Sequence, residues 1–366
     1  MPIIIHSAQP LETPCSGARC VQNPNSRRKE EHLRICLEKQ VEASGLATGF
    51  ERVRLLHRAL PELSLEEIDT SVELAGKVLA VPFVISAMTG GTPEAAAINR
   101  NLAAAAQEVG AAMIVGSQRA AIEQPDLAAS YQVRDVAPGI LLFANLGAVQ
   151  LNYGYTVSDC RRAVEMIGAD GLALHLNPLQ ECLQPEGNRD FRNLKEKIGT
   201  VVRELGYPVL VKEVGWGISG EVALELWDAG VRLLDVAGAG GTCWSEVEAY
   251  RAQTASARRM ARAFRSWGIP TAEAVSSVLE ATPEMTVIAS GGIRSGVDVA
   301  KAIALGATAA GLALPLLAPA CRSAAAVVDR LRLLQQELRV AMFCTGSRDL
   351  KSLRRALWSS SFQARS

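Results

Sequence analysis

Eight short apolar runs, most of them separated by roughly 25 to 35 residues with a helical pattern, constrain this chain more than any other feature. The runs are residues 81–87, 111–116, 140–145, 171–176, 208–213, 231–236, 285–290 and 307–314. Each is nearly continuous in apolar side chains, the pattern of a strand buried on both faces of a parallel sheet. The intervals at 95–109 and 296–305 show clear helical spacing. Strands alternating with helices predict an α/β architecture, and eight such units favour a closed (β/α)8 barrel over an open doubly wound sheet. The 366 residues fit one such barrel with extensions.

The remaining segments follow from that frame. Residues 1–25 are rich in Pro, Gly, Ser and Asn and read as a flexible leader, which leaves 26–366 as a single domain. Residues 27–40 read as a charged helix with Leu33, Cys36, Leu37 and Val41 on one face. A linking region with Pro61 follows. The interval after the sixth run is nearly twice the others, which predicts an insertion around 251–270. Residues 324–357 read as one or two closing helices, broken near Gly346.

Composition narrows the function. Hydrophobic residues make up 49% and charged residues 21%, which suits a large core. A formal net charge of zero gives no reason to expect a nucleic-acid partner. No stretch approaches the roughly 18 apolar residues of a membrane span, and no basic segment precedes the apolar start, so neither membrane insertion nor a signal peptide is expected. The 8 Cys show no CxxC pair and no zinc spacing, which fits free thiols in a reducing cytoplasm.

In this architecture chemistry gathers at the C-terminal ends of the strands. Polar and glycine residues cluster after seven of the eight runs: Met88-Thr89-Gly90-Gly91, Ser117-Gln118-Arg119, Asn145, His175 through Glu181, Lys212-Glu213, Gly238 through Thr242, and Gly291-Gly292-Ile293-Arg294; the eighth ends in Ala313-Leu314. The Gly291-Gly292 pair is either a plain turn or part of a phosphate cradle completed by the helix that follows. In the fourth run, alternation puts Leu172, Leu174 and Leu176 on the helix side and points His175 and Asn177 into the barrel. Glu181 is not adjoined by a second acid or histidine, which argues against an all-protein cage but suits Mg2+ completed by water and phosphate. Lys212 lies in an apolar strand and must face something anionic, for which a reduced flavin would serve. Ser117-Gln118-Arg119 and Arg28-Lys29 are candidates for gripping a diphosphate. For Arg28-Lys29 the pattern alone fits a solvated helix face better.

Taken in order, these stretches resemble the type 2 isopentenyl diphosphate isomerases, from about Arg28 to the C-terminal helices. Arg28 through His32, Ala87 through Gly91, Gly116 through Arg119, His175 through Gly187, Val211 through Gly215, Asp235 through Thr242 and Ser290 through Arg294 carry the likeness. The resemblance implies a cytoplasmic, FMN- and Mg2+-dependent homo-oligomer, tetrameric or larger, acting on a small-molecule diphosphate. It implies flavin contacts from Ala87, Met88, Thr89, Ser117, Asn145, Lys212, Thr242, Gly292, Ile293, Arg294, Ala313 and Leu314. Arg28, Lys29, Ser117, Gln118, Arg119 and Gln180 would bind substrate, and Glu181 would hold the metal. His175, Asn177 and Gln180 would shape the catalytic pocket. In the family, reduced FMN is thought to move the proton, and NADPH serves to reduce it. Ala237 stands where many relatives carry Ser, and the segment before Arg28 is longer than usual.

Three other readings compete. An FMN-dependent 2-hydroxy-acid oxidase needs a histidine base near the later strands, and no His follows His175. A reading akin to inosine monophosphate dehydrogenase would make Cys243 a nucleophile but leaves the fourth-strand motif without a role. A degenerate flavin- or phosphate-binding barrel would not be expected to keep both Lys212 and Glu181.

Overall fold

The computed structural model describes residues 24–358. Ten strands appear in it: β1 (Val72–Leu74), β2 (Lys77–Leu79), β3 (Phe83–Ile85), β4 (Ala112–Ile114), β5 (Leu142–Gly147), β6 (Gly171–His175), β7 (Val209–Lys212), β8 (Leu233–Asp235), β9 (Thr286–Ser290) and β10 (Ala309–Leu312). Strands β3 to β10 are parallel and close on themselves, β10 pairing with both β3 and β9. Each of the eight expected runs coincides with one of these strands, with β5 continuing past its run to Gly147. The molecule is therefore the (β/α)8 barrel that the spacing predicts.

The side-chain alternation also holds. Leu172 and Leu174 pack in the large cluster between strands and helices, whereas Ala173 joins Val84, Ile114, Phe143, Leu210 and Ile288 inside the barrel. Register then lines up the functional rim. Gly147 pairs with His175, His175 with Lys212, and Lys212 with Asp235, so three polar side chains stand at one level on adjacent strands.

The linking region holds a feature that no sequence pattern announces. β1 and β2 form an antiparallel hairpin whose turn places Ala75 at φ 48 and Gly76 at φ 79. Both left-handed residues match a tight hairpin turn, although Ala at the first position carries steric strain that Asn or Asp would lessen. Leu74 and Leu79 join the interior cluster, plugging the barrel at the end away from the site.

The helices are set by local chemistry. Thr92 caps Pro93–Val109 by accepting from the Ala95 N–H, and Ser295 with Asp298 forms a capping box at Gly296–Ala304. The long interval contains two helices, Trp244–Arg251 and Ala255–Arg262, before Thr271–Ala281 resumes the barrel pattern. The tail forms Ala324–Cys344 and Leu350–Leu353, with Gly346 at φ 66 between them. The expected N-terminal helix runs Pro24–Glu38. Residues 1–23 of the expected leader lie outside the described residues.

Candidate active site

Two adjoining chambers open at the C-terminal end of the barrel. The first is lined by the end of β3 (Ser86, Ala87, Met88), by Lys212, and by the loops after β8, β9 and β10. The second is lined by Ser117, Arg119, Asn145, His175, Asn177, Gln180 and Glu181, with Arg28 and Lys29 reaching in from the N-terminal helix. Ala87, Met88, Lys212, Val214, Trp244, His32 and Lys29 border both. The two chambers therefore form one site with a shared partition.

Close backbone packing shapes the first chamber. A Cβ on Gly241 would lie 2.3 Å from the Gly292 nitrogen, and one on Gly291 (φ +104) would lie 2.1 Å from the Gly238 carbonyl. Only glycine permits the loops after β8 and β9 to meet this closely. Thr242, Gly292, Ile293, Arg294, Ala313 and Leu314 all line the resulting wall. The helix Leu314–Arg322 starts here with no side-chain cap. Pro315 has no N–H and the Leu316 N–H donates to the Ala313 carbonyl at 2.9 Å, so the helix dipole and the Leu314 N–H are what this end offers a phosphate. The Arg294 guanidinium turns outward to Glu42, at 3.0 and 2.9 Å, so its contribution to the wall is mainly the backbone.

The donor chemistry of this chamber fits a flavin. Ser86 lines it, and its Oγ is buried without a hydrogen-bond partner. Such a group is costly unless a ligand satisfies it. Lys212 is 5% exposed and donates to the Glu213 carbonyl at 2.5 Å. Its ammonium lies 3.9 Å from Asp235, whose other carboxylate oxygen accepts from Ser290 at 2.5 Å. Burial pushes the Asp235 carboxyl up, with Lys212 and Ser290 opposing. FMN would be held by this lysine, the Ser86 hydroxyl and the glycine-lined wall.

The second chamber is polar and asymmetric in charge. Arg28 donates to Gln184 at 3.0 Å, and burial lowers its pKa. Burial and Arg28 bring Lys29 down to about 7. Arg119 bonds Glu123 at 2.8 Å and Asn188 at 2.9 Å. Glu181 accepts from Asn177 at 3.0 Å and from the Asn188 N–H. Asn177 Oδ1 is buried and unpartnered. Among the described residues no three His, Cys, Asp or Glu side chains gather as a metal cage. The donor set here is oxygen-rich with one carboxylate, which fits Mg2+ drawing its other ligands from water and substrate.

His175 is held neutral. Burial, then Lys212, Arg28 and Lys29, bring its pKa to about 3, with the Leu146 carbonyl opposing. Its Nδ1 lies 2.9 Å from Asn145 Oδ1, and the Asn145 amide is committed to the Val115 carbonyl at 3.0 Å. That assigns the imidazole proton to Nδ1.

The structure places several of the expected residues behind the chamber walls or on the far side of the partition. Gln118, expected at the substrate, is fully buried and faces neither chamber. Its amide donates to the Ala163 carbonyl at 2.8 Å, and its Oε1 accepts from the Asn145 N–H at 2.9 Å. It braces the strand end that carries Asn145. Ser117, expected at both the flavin and the substrate, and Asn145, expected at the flavin, line the second chamber. Thr89, also expected at the flavin, is 2% exposed, and its Oγ1, like the Oγ of Ser86, is buried without a partner among the described residues.

The structure also recruits residues that sequence reasoning passed over. Glu248, 4% exposed, accepts from His32 at 3.0 Å, Gln184 at 2.6 Å, Gln180 at 3.4 Å and Arg251 at 2.6 Å. Burial pushes this carboxyl up, but His32, Arg251 and Gln184 prevail and hold it at about 2. Arg251 also pairs with Glu31 and Glu186, each at 3.1 Å. This network ties the N-terminal helix and the β6 loop to the helix Trp244–Arg251 as a roof. Its one sequence cue was the pair of acids in that helix, Glu246 and Glu248, which both turn out to be buried.

A closed parallel barrel with a glycine-lined wall and a buried lysine at a rim chamber is the architecture of a class, the FMN-dependent barrel enzymes. The family model described as FMN-dependent dehydrogenase matches residues 26–134 and 178–360. The chain is 54% identical to the isopentenyl-diphosphate delta-isomerase of Synechocystis sp. over 90% of its length and 95% of that protein. It is 49% identical to the enzyme of that name from Rickettsia bellii, over 90% of this chain and 96% of the other. The chain belongs to the type 2 isopentenyl-diphosphate delta-isomerase family. Solved structures of mandelate oxidase share its fold: one bound to (S)-2-phenylpropionate matches with a TM-score of 0.64 at 21% identity, covering 90% of this chain and 95% of that one. Another, with 3,3-difluoro-2-hydroxy-3-phenylpropionic acid, matches with a TM-score of 0.62 at 20% identity, covering 90% and 96%.

Proposed function

We propose that the protein converts isopentenyl diphosphate to dimethylallyl diphosphate. The observation that carries this reading is the pairing of a glycine-lined chamber with a second, cationic chamber across a shared partition. The chemistry that FMN supplies when bound, in its reduced form, is the addition and removal of a proton at the alkene.

The chain's own residues supply placement and charge. Arg28 and Arg119 bring two cationic side chains to the second chamber, and Lys29, at about 7 without a ligand, gains its charge as a diphosphate binds beside it. Glu181 would hold Mg2+, which would supply charge neutralisation to that diphosphate. Met88, Val214 and Trp244 form the apolar part of the partition, where a five-carbon tail fits. Lys212 provides a fixed positive charge at the partition. His175, neutral at pH 7, acts as a hydrogen-bonding wall and not as a cation, beside Asn177 and Gln180. The network of His32, Gln184 and Glu248 braces the N-terminal helix against the β6 loop beside this chamber.

NADPH is proposed as the reductant of the flavin. The working protein is proposed to be a cytoplasmic homo-oligomer, tetrameric or larger. No described helix is long and apolar enough to cross a membrane. The oxidase alternative gains nothing from the shared fold, because no His follows His175 in the sequence.

The test is turnover of isopentenyl diphosphate in heavy water by purified, anaerobically reduced protein. Deuterium should enter the newly formed methyl group, and the flavin released on denaturation should be FMN. Recovery of FAD, or no product under these conditions, overturns the reading.

A further inference from the structure

Lys29 does not hang free in its chamber. Its Nζ donates to the Ser117 carbonyl at 2.7 Å and to the Tyr131 hydroxyl. That hydroxyl donates in turn to the same Ser117 carbonyl at 2.8 Å, so a lone pair faces the ammonium. The ammonium also lies 4.9 Å from the Tyr131 ring centroid. Two of the three ammonium protons are thereby committed, and one remains for a ligand.

Tyr131 itself is wholly buried and borders neither chamber. Its ring fills space that Gly90 leaves open: a Cβ on Gly90 would lie 2.0 Å from a ring carbon. The backbone beside it is pinned as well. Ser130 accepts from the Gly91 N–H at 2.7 Å, and its carbonyl accepts from Asn99 at 2.9 Å. A rigid hydroxyl thus meets the end of a long, flexible lysine. Fixing that side chain before the ligand arrives removes an ordering cost from binding.

We propose that Tyr131 is a positioning residue that fixes the Lys29 ammonium at the diphosphate end of the cavity without touching substrate. The proposal rests on reading the second chamber as a diphosphate site. It predicts a defect in binding and not in the chemical step.

Tyr131→Phe keeps the ring and removes one oxygen. In the FMN-loaded protein it should raise KM for isopentenyl diphosphate about tenfold, with kcat held within about twofold. The Kd for inorganic pyrophosphate should rise by the same factor. Lys29→Arg keeps the charge but cannot seat a planar fork between the two acceptors, so it should show the same binding defect. Lys29→Met combined with Tyr131→Phe should bind pyrophosphate no more weakly than Lys29→Met alone. Wild-type KM and pyrophosphate affinity in Tyr131→Phe, a fall in kcat alone, or additive losses in the double variant would each overturn the proposal. If Tyr131→Phe does not fold, wild-type pyrophosphate affinity in Lys29→Arg overturns it, and weakened affinity supports it. If the wild-type protein makes no dimethylallyl diphosphate while Tyr131→Phe still weakens pyrophosphate binding, the isomerase reading falls and the positioning role stands.

Discussion

Glu181 and Glu213 are both buried carboxylates at the rim, and their partners give them opposite tasks. Glu181 bonds Asn177 and the Asn188 N–H and faces the cationic chamber. Glu181→Gln should keep FMN and fold normally but weaken magnesium binding at least about tenfold, read as a shifted magnesium titration of turnover. A wild-type titration would remove Glu181 as the ligand. Glu213 instead holds its own loop, one oxygen accepting from Val214, Gly215 and Trp216 at 2.7, 2.7 and 2.6 Å. Burial pushes its carboxyl up to about 7, against the pull of those N–H groups and Lys212. Because the folded pKa lies above the unfolded value, its contribution to stability is whole below pH ~4.5 and lost as pH rises through about 7. Glu213→Gln keeps an acceptor and cannot ionise. The stability difference between variant and wild type should shift in the variant's favour between about pH 5 and 8, by on the order of 3 kcal/mol, in urea titrations. A parallel pH course for the two proteins would reject this.

The N-terminal helix Pro24–Glu38 is the element whose role the sequence left open. A charged stripe read by itself fits a solvated face, yet Arg28, Lys29 and His32 all point at the site. After the helix, the chain continues as a strap across the β8 loop: Ala43 donates to the Gly241 carbonyl, and Cys243 donates to the Val41 carbonyl, each at 2.7 Å. Removing residues 1–22 leaves this helix whole and should leave FMN content and KM near wild type. Extending the deletion through Lys29 removes two cationic contacts and should raise KM for isopentenyl diphosphate about 100-fold or more, by steady-state kinetics. Equal KM for the two truncations would refute the role given to Arg28 and Lys29. The β1–β2 hairpin makes a second lesson at this scale. Its strands are three residues each, and its turn carries Ala75-Gly76 in place of the stronger Asn-Gly cue, so no periodic pattern announced it.

At the scale of the whole molecule, the ends of β3, β7, β8, β9 and β10, or the loops that follow them, all contribute to the first chamber. Moving a double bond by one position involves no net redox change, so a flavin held by that much of the barrel implies a cofactor that is reused. One reduction should therefore support many turnovers. Anaerobic assays should show product in large molar excess over NADPH oxidised, with the oxidised protein inactive until reduced. Consumption of NADPH in step with product would return the protein to the oxidoreductases.

The sequence by itself determined the barrel, because continuous apolar runs at regular spacing leave few alternatives for burying eight strands on both faces. It also determined which side of β6 His175 occupies, since alternation along a strand is a local property. Glycine pairs after β8 and β9 were legible for the same reason, as a backbone that must approach another closely needs them. Tertiary structure alone decided which polar side chains line the chambers and which brace the scaffold. Gln118 stands in a rim motif beside Ser117 and Arg119, yet it braces Asn145 from behind, because its position at the start of a short helix turns it toward Ala163. Glu248 and Tyr131 sit far along the chain from the groups they hold, 216 residues from His32 and 102 from Lys29. Local spacing carries no trace of such pairs; they exist only once the barrel closes and brings loops from distant strands to one rim.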